Sequence, residues 1–493
     1  MTDASLPLAH TEAGKTNPLT EDWLAAILGL AVFGLALAGL GGHDLIGWAV
    51  ATQVWTDPAV ALTTQSKAYA WLGGWGGLFL TYIGLLAVLG AGVAFLKADV
   101  RRFALAFTIV FFVAYAAWFL GSNAHIAAVT PADFAKFGIS WSLRLTNEGG
   151  YLIALLAGLV IANGFPRLAG LLKEAIRPEL YIKIAIVILG GFIAVTAAGK
   201  LNLASSVFLR GLAAIVEAYL IYWAVVYFVA RKWFGFGREW AAPLASGISI
   251  CGVAAAIATG GAIRARPQVP VLVSSLVVVF AVVEVLVLPF LAQTFLANDP
   301  LVAAAWMGLS VKTDGAAVAA GGITESLILA KAASEGIKYQ AGWILGTTAT
   351  VKVFIDVFIG IWAFLLAHIW TTYIDVKAAS GRAKLGEIFE RFPKFIFGFI
   401  ITFAVGLWLA LSLPAADLAK LTASVGEANG FRVIFFVLTF FSIGVLSNFR
   451  KLWEEGLGKL AAVYVVCLFG FVIWFGLLIS WLFFHGVKPP LAG

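Results

Sequence analysis

Long apolar runs separated by short polar breaks fill this chain of 493 residues. A helix that crosses a bilayer needs about 20 predominantly apolar residues. By that measure the pattern predicts thirteen spans, at 24–42, 70–96, 103–121, 148–164, 181–199, 205–230, 241–262, 270–297, 302–322, 341–370, 394–413, 431–448 and 460–484. The expectation is an all-α polytopic membrane protein of about 13 transmembrane helices. Residues 1–22 are polar and carry Glu12, Glu21 and Asp22. They lack the basic flank and short apolar core of a cleaved signal peptide, so they are expected to be a disordered cytoplasmic tail. The stretch 371–393, with Lys377, Arg382, Lys384, Glu387, Glu390 and Arg391, is the one clear polar linker inside the apolar region. Pro131 to Leu145 mixes Phe134, Phe137, Trp141 and Leu143 with Asp133, Lys136 and Arg144. That mixture suits a segment lying in the membrane interface, and suits an ordinary aromatic-bearing loop equally well.

Composition closes off several function classes. The chain is 62% hydrophobic and 12% charged, with a mean hydropathy of +0.98, whereas soluble domains are about 45–50% apolar and about 25% charged. A soluble enzyme with a single anchor is therefore excluded. Cys251 and Cys467 both lie in apolar segments without ligand-type spacing, which argues against a disulfide framework or a zinc site. The net charge of +7 is spread over short loops, not gathered into the basic face that nucleic acid requires. Sorted into alternate loops, 17 Lys and Arg residues fall on one side of the membrane and 10 on the other. The richer side should be cytoplasmic, which places the N-terminus inside and the C-terminus outside a bacterial inner membrane.

Two segments differ from the Leu-, Val- and Phe-rich remainder. The first runs from Gly247 through Ser249, Cys251 and Gly252 to Gly261; the second runs from Gly308 through Ser310, Lys312, Thr313 and Asp314 to Gly322. At a constant offset of 61 residues they share seven identities in fifteen positions, among them Gly247 with Gly308 and Ser249 with Ser310. Small residues let membrane helices pack closely, which is one sufficient explanation. The other is that each segment interrupts a helix near the midplane, where unwound backbone and half-helix N-termini bind an anion, as in transporters built from inverted repeats. Lys312 and Asp314 favour the second, because an ionisable group at that depth costs about 2.5–3.5 kcal/mol on insertion scales and usually has a use. With one span between them, however, thirteen spans give the two copies the same orientation and not an inverted one.

Other polar residues punctuate the spans. Lys352 and Asp356, four apart on one helix face, can pair. Glu217 and Glu284 are lone carboxyl groups within apolar segments, each readable as a proton or cation carrier or as a protonated group bonded to a neighbouring helix. Asn163, Ser447 and Asn448 are candidates to line a cavity, and Arg450 reads as a cytoplasmic anchor. There is no P-loop, no Gly-x-Ser-x-Gly elbow and no His-Glu-x-x-His, so no enzyme activity is expected.

At these residues the chain resembles the bacterial sulfate exporter family, a group of uncharacterised membrane proteins named without an assigned substrate. The family's Gly-Thr-Ser-Ile-Cys-Gly-type segment is matched by Gly247-Ile-Ser249-Ile-Cys251-Gly252, and its Gly-x-Ser-Val-His-Asp-like run by Gly308-Leu-Ser310-Val-Lys312. Phe441-Ser442-Ile-Gly444 through Arg450 resembles the family's ending. The likeness covers roughly residues 148–484, with 23–130 as additional N-terminal spans. This chain departs from the family by having Lys312-Thr313 where His-Asp is usual, and Lys352 with Asp356 where a Lys and an Arg are usual. Sodium/proton antiporter-like and bile-acid-symporter-like folds are the wider group. They imply inverted repeats, broken crossing helices near 247–261 and 308–322, and a homodimer.

The resulting expectation is a secondary active transporter of a small anion (sulfate, sulfite, or an organic sulfonate or carboxylate) working by alternating access. Ser249, Ser310, Thr313, Lys312 and Lys352 would bind the anion, joined through the resemblance by Cys251 and Gly252. Asp314 or Asp356 would carry a coupling proton or Na⁺, with no other cofactor. The competing expectations are a Na⁺/H⁺ antiporter, in which the two aspartates bind Na⁺, and a membrane sensor or scaffold that transports nothing. The expected partners are the anion, membrane lipid and a second copy of the chain, with no nucleic acid.

Overall fold

The computed structural model describes residues 20–492 apart from 129–130, 144, 146, 148, 200, 267, 375–392 and 449–457. The expectations for residues 1–19, most of the 371–393 linker, Arg144 and Arg450 lie outside the described residues. The chain is almost wholly helical. Helix α1 (Glu21–Leu37) starts where the Thr20 hydroxyl accepts from the Trp23 N–H, an ordinary N-cap. A two-stranded antiparallel ribbon follows, β1 (Val50–Thr52) against β2 (Leu62–Thr64). Then come α2 (Gly73–Phe95), α3 (Val100–Gly121), α4 (Gly149–Gly164), α5 (Pro178–Ala198) and α6 (Leu201–Trp233). Two shorter helices, α7 (Arg238–Ser249) and α8 (Gly252–Ala262), precede α9 (Gln268–Phe295). The short α10 (Pro300–Ser310) precedes α11 (Asp314–Ser334), α12 (Trp343–Ile374), α13 (Phe395–Ser412), α14 (Ala415–Leu446) and α15 (Gly458–Phe484).

Among the described residues, eleven helices are long and apolar enough to cross a membrane. Twelve qualify if α4 is joined to the Pro166–Ala175 helix, from which it is bent by 117°. Pro166 causes that bend, since its ring cannot continue the preceding helix. Glycines set the closest helix approaches. A Cβ on Gly158 of α4 would lie 2.9 Å from the Gly444 Cα of α14. At the end of this contact Asn163 donates to the Ser447 carbonyl (3.1 Å) and Asn448 to the Ala162 carbonyl (3.1 Å), so these amides stitch α4 to α14. Helix α5 packs against α1, α13 and α14, and α3 packs against α4, so the N-terminal helices share the main core. In the aromatic stretch, Pro131–Phe137 is a short helix and Trp141 stacks on His125 with 4.6 Å between ring centroids.

The expectation of single spans at 241–262 and 302–322 is corrected by the structure. Between α7 and α8 the chain turns back on itself: Thr259 donates to the Ser246 hydroxyl (2.7 Å), and the Arg266 N–H reaches the Glu239 carboxylate (2.7 Å). In a continuous helix, residues thirteen apart would be separated by about 20 Å. Helices α7 and α8 therefore form hairpin 1, with its tip at Ile250 and Cys251 and both ends on one side. Helices α10 and α11 fold back in the same way as hairpin 2, with its tip at residues 311–313. Thr348 of α12 touches both arms, donating to the Ala304 carbonyl (2.8 Å) and lying where a Cβ on Gly321 would be 2.7 Å from its hydroxyl.

The two hairpins enter from opposite ends of the bundle. Helix α9 begins two residues after Arg266, at the base of hairpin 1, and its 28 residues extend about 42 Å. Its far end meets the base of hairpin 2, where Lys331 donates to the Gln293 carbonyl (3.2 Å). The 61-residue sequence match therefore joins two hairpins broken at equivalent places, since Ser249 and Ser310 each end a first arm. The orientation problem posed by thirteen spans disappears, because each copy turns back at its tip instead of running on as one straight span.

Candidate functional site

The hairpin tips meet in the interior. Ile250, Cys251, Val311 and Thr313 leave helical geometry, which frees backbone groups that regular helix would have satisfied. The Gly252 N–H donates across the crossing to the Lys312 carbonyl at 2.5 Å. Only glycine permits this approach, because a Cβ there would meet Thr313 Cγ2 and Val277 Cβ at 3.1 Å. The N-terminus of α11 is closed by its own residues: Thr313 Oγ1 accepts from the Ala316 N–H (3.2 Å), and Asp314 occupies the first turn. A carboxylate there complements the positive end of the helix dipole.

One charged cluster surrounds Lys352. Its ammonium donates to the Ile250 carbonyl (2.8 Å) and lies 3.6 Å from Asp314 and 3.9 Å from Asp356. Cys251 Sγ donates to Asp314 Oδ1 (2.8 Å). One ligand atom each from Cys251, Asp314 and Asp356 lies within 4.8 Å of the others, a spacing that could hold a metal ion. Lys352 already brings a positive charge to the same carboxylates, so the trio fits an internal ion pair at least as well as a metal. All four residues are at most 2% exposed.

A second cluster surrounds Lys312. Its backbone N–H donates to Glu284 Oε2 (3.1 Å), while the Tyr464 hydroxyl donates to Glu284 Oε1 (3.2 Å). Its ammonium donates to the Leu309 carbonyl and sits 4.6 Å from the centre of the Tyr222 ring, an attractive cation–π contact. Tyr222 belongs to a π-helical turn, Glu217–Tyr222, and its hydroxyl donates to Val472 at the end of a second π turn, Leu468–Val472. Glu217 opens the first of these turns. Neither of its carboxyl oxygens has a hydrogen-bond partner among the described residues, and the same holds for the hydroxyls of Ser249 and Ser310.

Every expected site residue reaches the crossing: Ser249, Cys251 and Gly252 on hairpin 1, Ser310, Lys312, Thr313 and Asp314 on hairpin 2, and Lys352 and Asp356 on α12. Hairpin 1's tip is held by Lys352 from the helix that follows hairpin 2. Hairpin 2's tip is held by Glu284 from the helix that follows hairpin 1. Glu284 belongs to the centre, and its signal in the sequence was a lone carboxyl in an apolar run. Tyr222, Tyr464 and the carbonyls of Ile250 and Leu309 carried no such signal.

Outside the membrane-spanning segments, Arg266 closes the base of hairpin 1. Its hydrogen bonds hold the Glu239 carboxyl below the usual carboxylate range. A small cleft lined by Pro178, Glu179, Val278, Thr313 and Gly315 reaches the first turn of α11.

Comparison with known proteins identifies the family. The family model described as conserved hypothetical protein 698 matches residues 107–463, which include both hairpins. A UPF0324 membrane protein of Nitrosomonas europaea is 39% identical over 478 residues, 96% of this chain and 97% of its own length. The chain belongs to the UPF0324 membrane protein family. A UPF0324 membrane protein of Rhodopirellula baltica is 28% identical over 404 residues, covering 80% of this chain and 65% of its own. An uncharacterised protein of Archaeoglobus fulgidus is 49% identical over 165 residues, 30% of this chain and 88% of its own. No solved structure matches. This UPF0324 member is thus a multi-pass membrane protein whose buried charges converge where two opposed hairpins meet.

Proposed function

We propose that the protein is a secondary active transporter of a small anion, working by alternating access at the hairpin crossing and coupled to protons or Na⁺ in a bacterial inner membrane. One observation carries the reading. Two hairpins entering from opposite ends share a tip contact among six buried ionisable groups: Lys312, Lys352, Asp314, Asp356, Glu217 and Glu284. Taking each ion out of water costs several kcal/mol, and such groups inside membranes mark substrate and ion pathways. Alternate loosening of one hairpin and then the other would expose the same centre to each side in turn.

Sulfate, sulfite and organic sulfonates or carboxylates are the proposed cargo, following the family resemblance. The base of hairpin 1 is the proposed cytoplasmic face. Moving Arg264 and Arg266 to the side of Arg231, Lys232 and Arg238 widens the loop charge asymmetry from 17 against 10 to 19 against 8. A second reading, a Na⁺/H⁺ antiporter, is favoured by the excess of carboxyl groups over ammonium groups at the crossing. Proteoliposomes separate the two. Exchange of labelled sulfite or methanesulfonate driven by a proton or Na⁺ gradient is the expected result. Na⁺-driven proton flux without any anion would transfer the assignment to the antiporter, and the absence of both fluxes would overturn transport.

A further inference from the structure

The two lysines at the crossing are not equivalent. Lys352 is satisfied by two aspartates and a backbone carbonyl. Among the described residues Lys312 Nζ makes a single hydrogen bond, to the Leu309 carbonyl, and its remaining donors face the Tyr222 side. On that side the Ser310 hydroxyl is fully buried and has no hydrogen-bond partner among the described residues. Gly476 of α15 closes that side and packs directly against both groups. A Cβ there would lie 2.7 Å from the Tyr222 hydroxyl and 3.0 Å from Ser310 Oγ.

The carboxyl groups around Lys312 also differ. Both oxygens of Glu284 are taken by donors, the Lys312 N–H and the Tyr464 hydroxyl, which suits a fixed acceptor. Glu217 is 1% exposed and lacks a hydrogen-bond partner at either oxygen among the described residues. Its polar neighbours are the Tyr222 hydroxyl, which is turned to the Val472 carbonyl, and the Lys312 ammonium. Lys352 faces Lys312 as a like charge from α12. When ionised, Glu217 neutralises Lys312; when it carries a proton, that counter-charge is removed.

We propose that Lys312 and Ser310, beside the Tyr222 ring, form the binding site for a small singly charged oxyanion (a carboxylate or sulfonate) once α15 moves away, and that a proton on Glu217 frees Lys312 to hold it. The proposal deepens the transporter reading and rests on it. Four carboxyl groups and two ammonium groups already leave the centre short of positive charge, so an anion enters only together with a proton. The proton comes from solvent, adds to a Glu217 oxygen, and travels with the anion. Singly charged cargo then moves with one proton and without net charge. Asp314 and Asp356 serve as the lock on Lys352, and Glu217 is the coupling carboxyl.

Calorimetric titration of the full-length purified protein with methanesulfonate, which stays anionic across the usable pH range, tests this. The expected result is uptake of one proton per anion, with affinity falling about tenfold per pH unit once Glu217 ionises. Glu217→Gln should bind at the acid-side affinity, flat with pH and without proton uptake. Ser310→Ala should weaken binding and Lys312→Met should abolish it. A wild-type pH slope retained in Glu217→Gln, or unchanged binding by Lys312→Met, overturns the proposed site. If Glu217→Gln does not fold, wild-type binding without proton uptake overturns it alone. Methanesulfonate exchange in proteoliposomes separates the two ideas. Exchange that persists with a wild-type pH slope in Glu217→Gln sinks the coupling role and leaves transport standing. No anion binding or exchange by the wild type sinks both.

Discussion

The backbone N–H of Gly252 donates to the Lys312 carbonyl at 2.5 Å, so the tips of two opposed hairpins share a hydrogen bond at the centre of the bundle. That bond requires a bare Cα. Adding a methyl group in Gly252→Ala would press on Val277 and on Thr313 Cγ2, and overpacking of this kind costs about 1–3 kcal/mol. The variant should melt below the wild type in detergent. Gly261→Ala, on the same hairpin with nothing within 4 Å of the added carbon, should match or exceed the wild type. Equal melting of both variants would mean that the tips do not meet as described.

Lys352 holds together groups that cannot stand alone. Lys352→Met would leave Asp314 and Asp356, each at most 2% exposed, without their ammonium partner. Removing one member of a buried ion pair costs about 3–5 kcal/mol. A large drop in melting temperature or in folded yield is expected, partly recovered when Asp356→Asn is added. A single variant as stable as the wild type would show that the cluster is already neutral without its lysine.

At the base of hairpin 2, Glu325 accepts from the N–H groups of Gly342 (3.0 Å), Ile344 (2.9 Å) and Leu345 (3.0 Å), capping the start of α12. Loss of a side-chain cap costs about 0.5–2 kcal/mol. Glu325→Ala should therefore destabilise modestly, and Glu325→Gln, which keeps one acceptor oxygen, should be milder. If Glu325→Ala melts no lower than Glu325→Gln, the carboxylate is not the cap of α12.

Hydropathy made the helices legible because each crossing segment needs the same length of apolar chain. The small-residue repeat made the site legible, and Ser249, Lys312, Asp314 and Lys352 were all found from it. Hairpin geometry was not legible, for a physical reason. An apolar run of 22 residues at 241–262 satisfies the bilayer equally well as one straight span or as two half-length arms buried against α9. The choice rests on contacts distant in sequence, such as Ser246 with Thr259. Tyr222 and Tyr464 went unnoticed because a tyrosine among apolar residues looks like any other core aromatic. Only their positions beside Lys312 and Glu284 make them part of the centre.

The hairpin reading makes a sharp prediction about sidedness. If 241–262 were one span, the residues flanking it would lie on opposite sides of the membrane. As hairpin 1 they lie together, and Glu239 grips Arg266 with hydrogen bonds of 2.7 and 3.0 Å. The native thiols Cys251 and Cys467 are 2% and 1% exposed, so single cysteines introduced at the surface can be followed with a membrane-impermeant maleimide in oriented vesicles. Arg238→Cys and Arg266→Cys should label from the same side, whereas Asp299→Cys and Lys338→Cys, at the base of hairpin 2, should label from the other. Acid should loosen the Glu239 clasp. Because Arg266 holds that carboxyl below its usual range, the pair is complete above the range and is lost as pH falls through the lowered folded value. Labelling of Arg238→Cys should therefore quicken at low pH beyond the intrinsic reactivity change of the thiol, and Glu239→Gln should remove that excess. Labelling of positions 238 and 266 from opposite sides would restore a continuous span and return the two repeats to the same orientation.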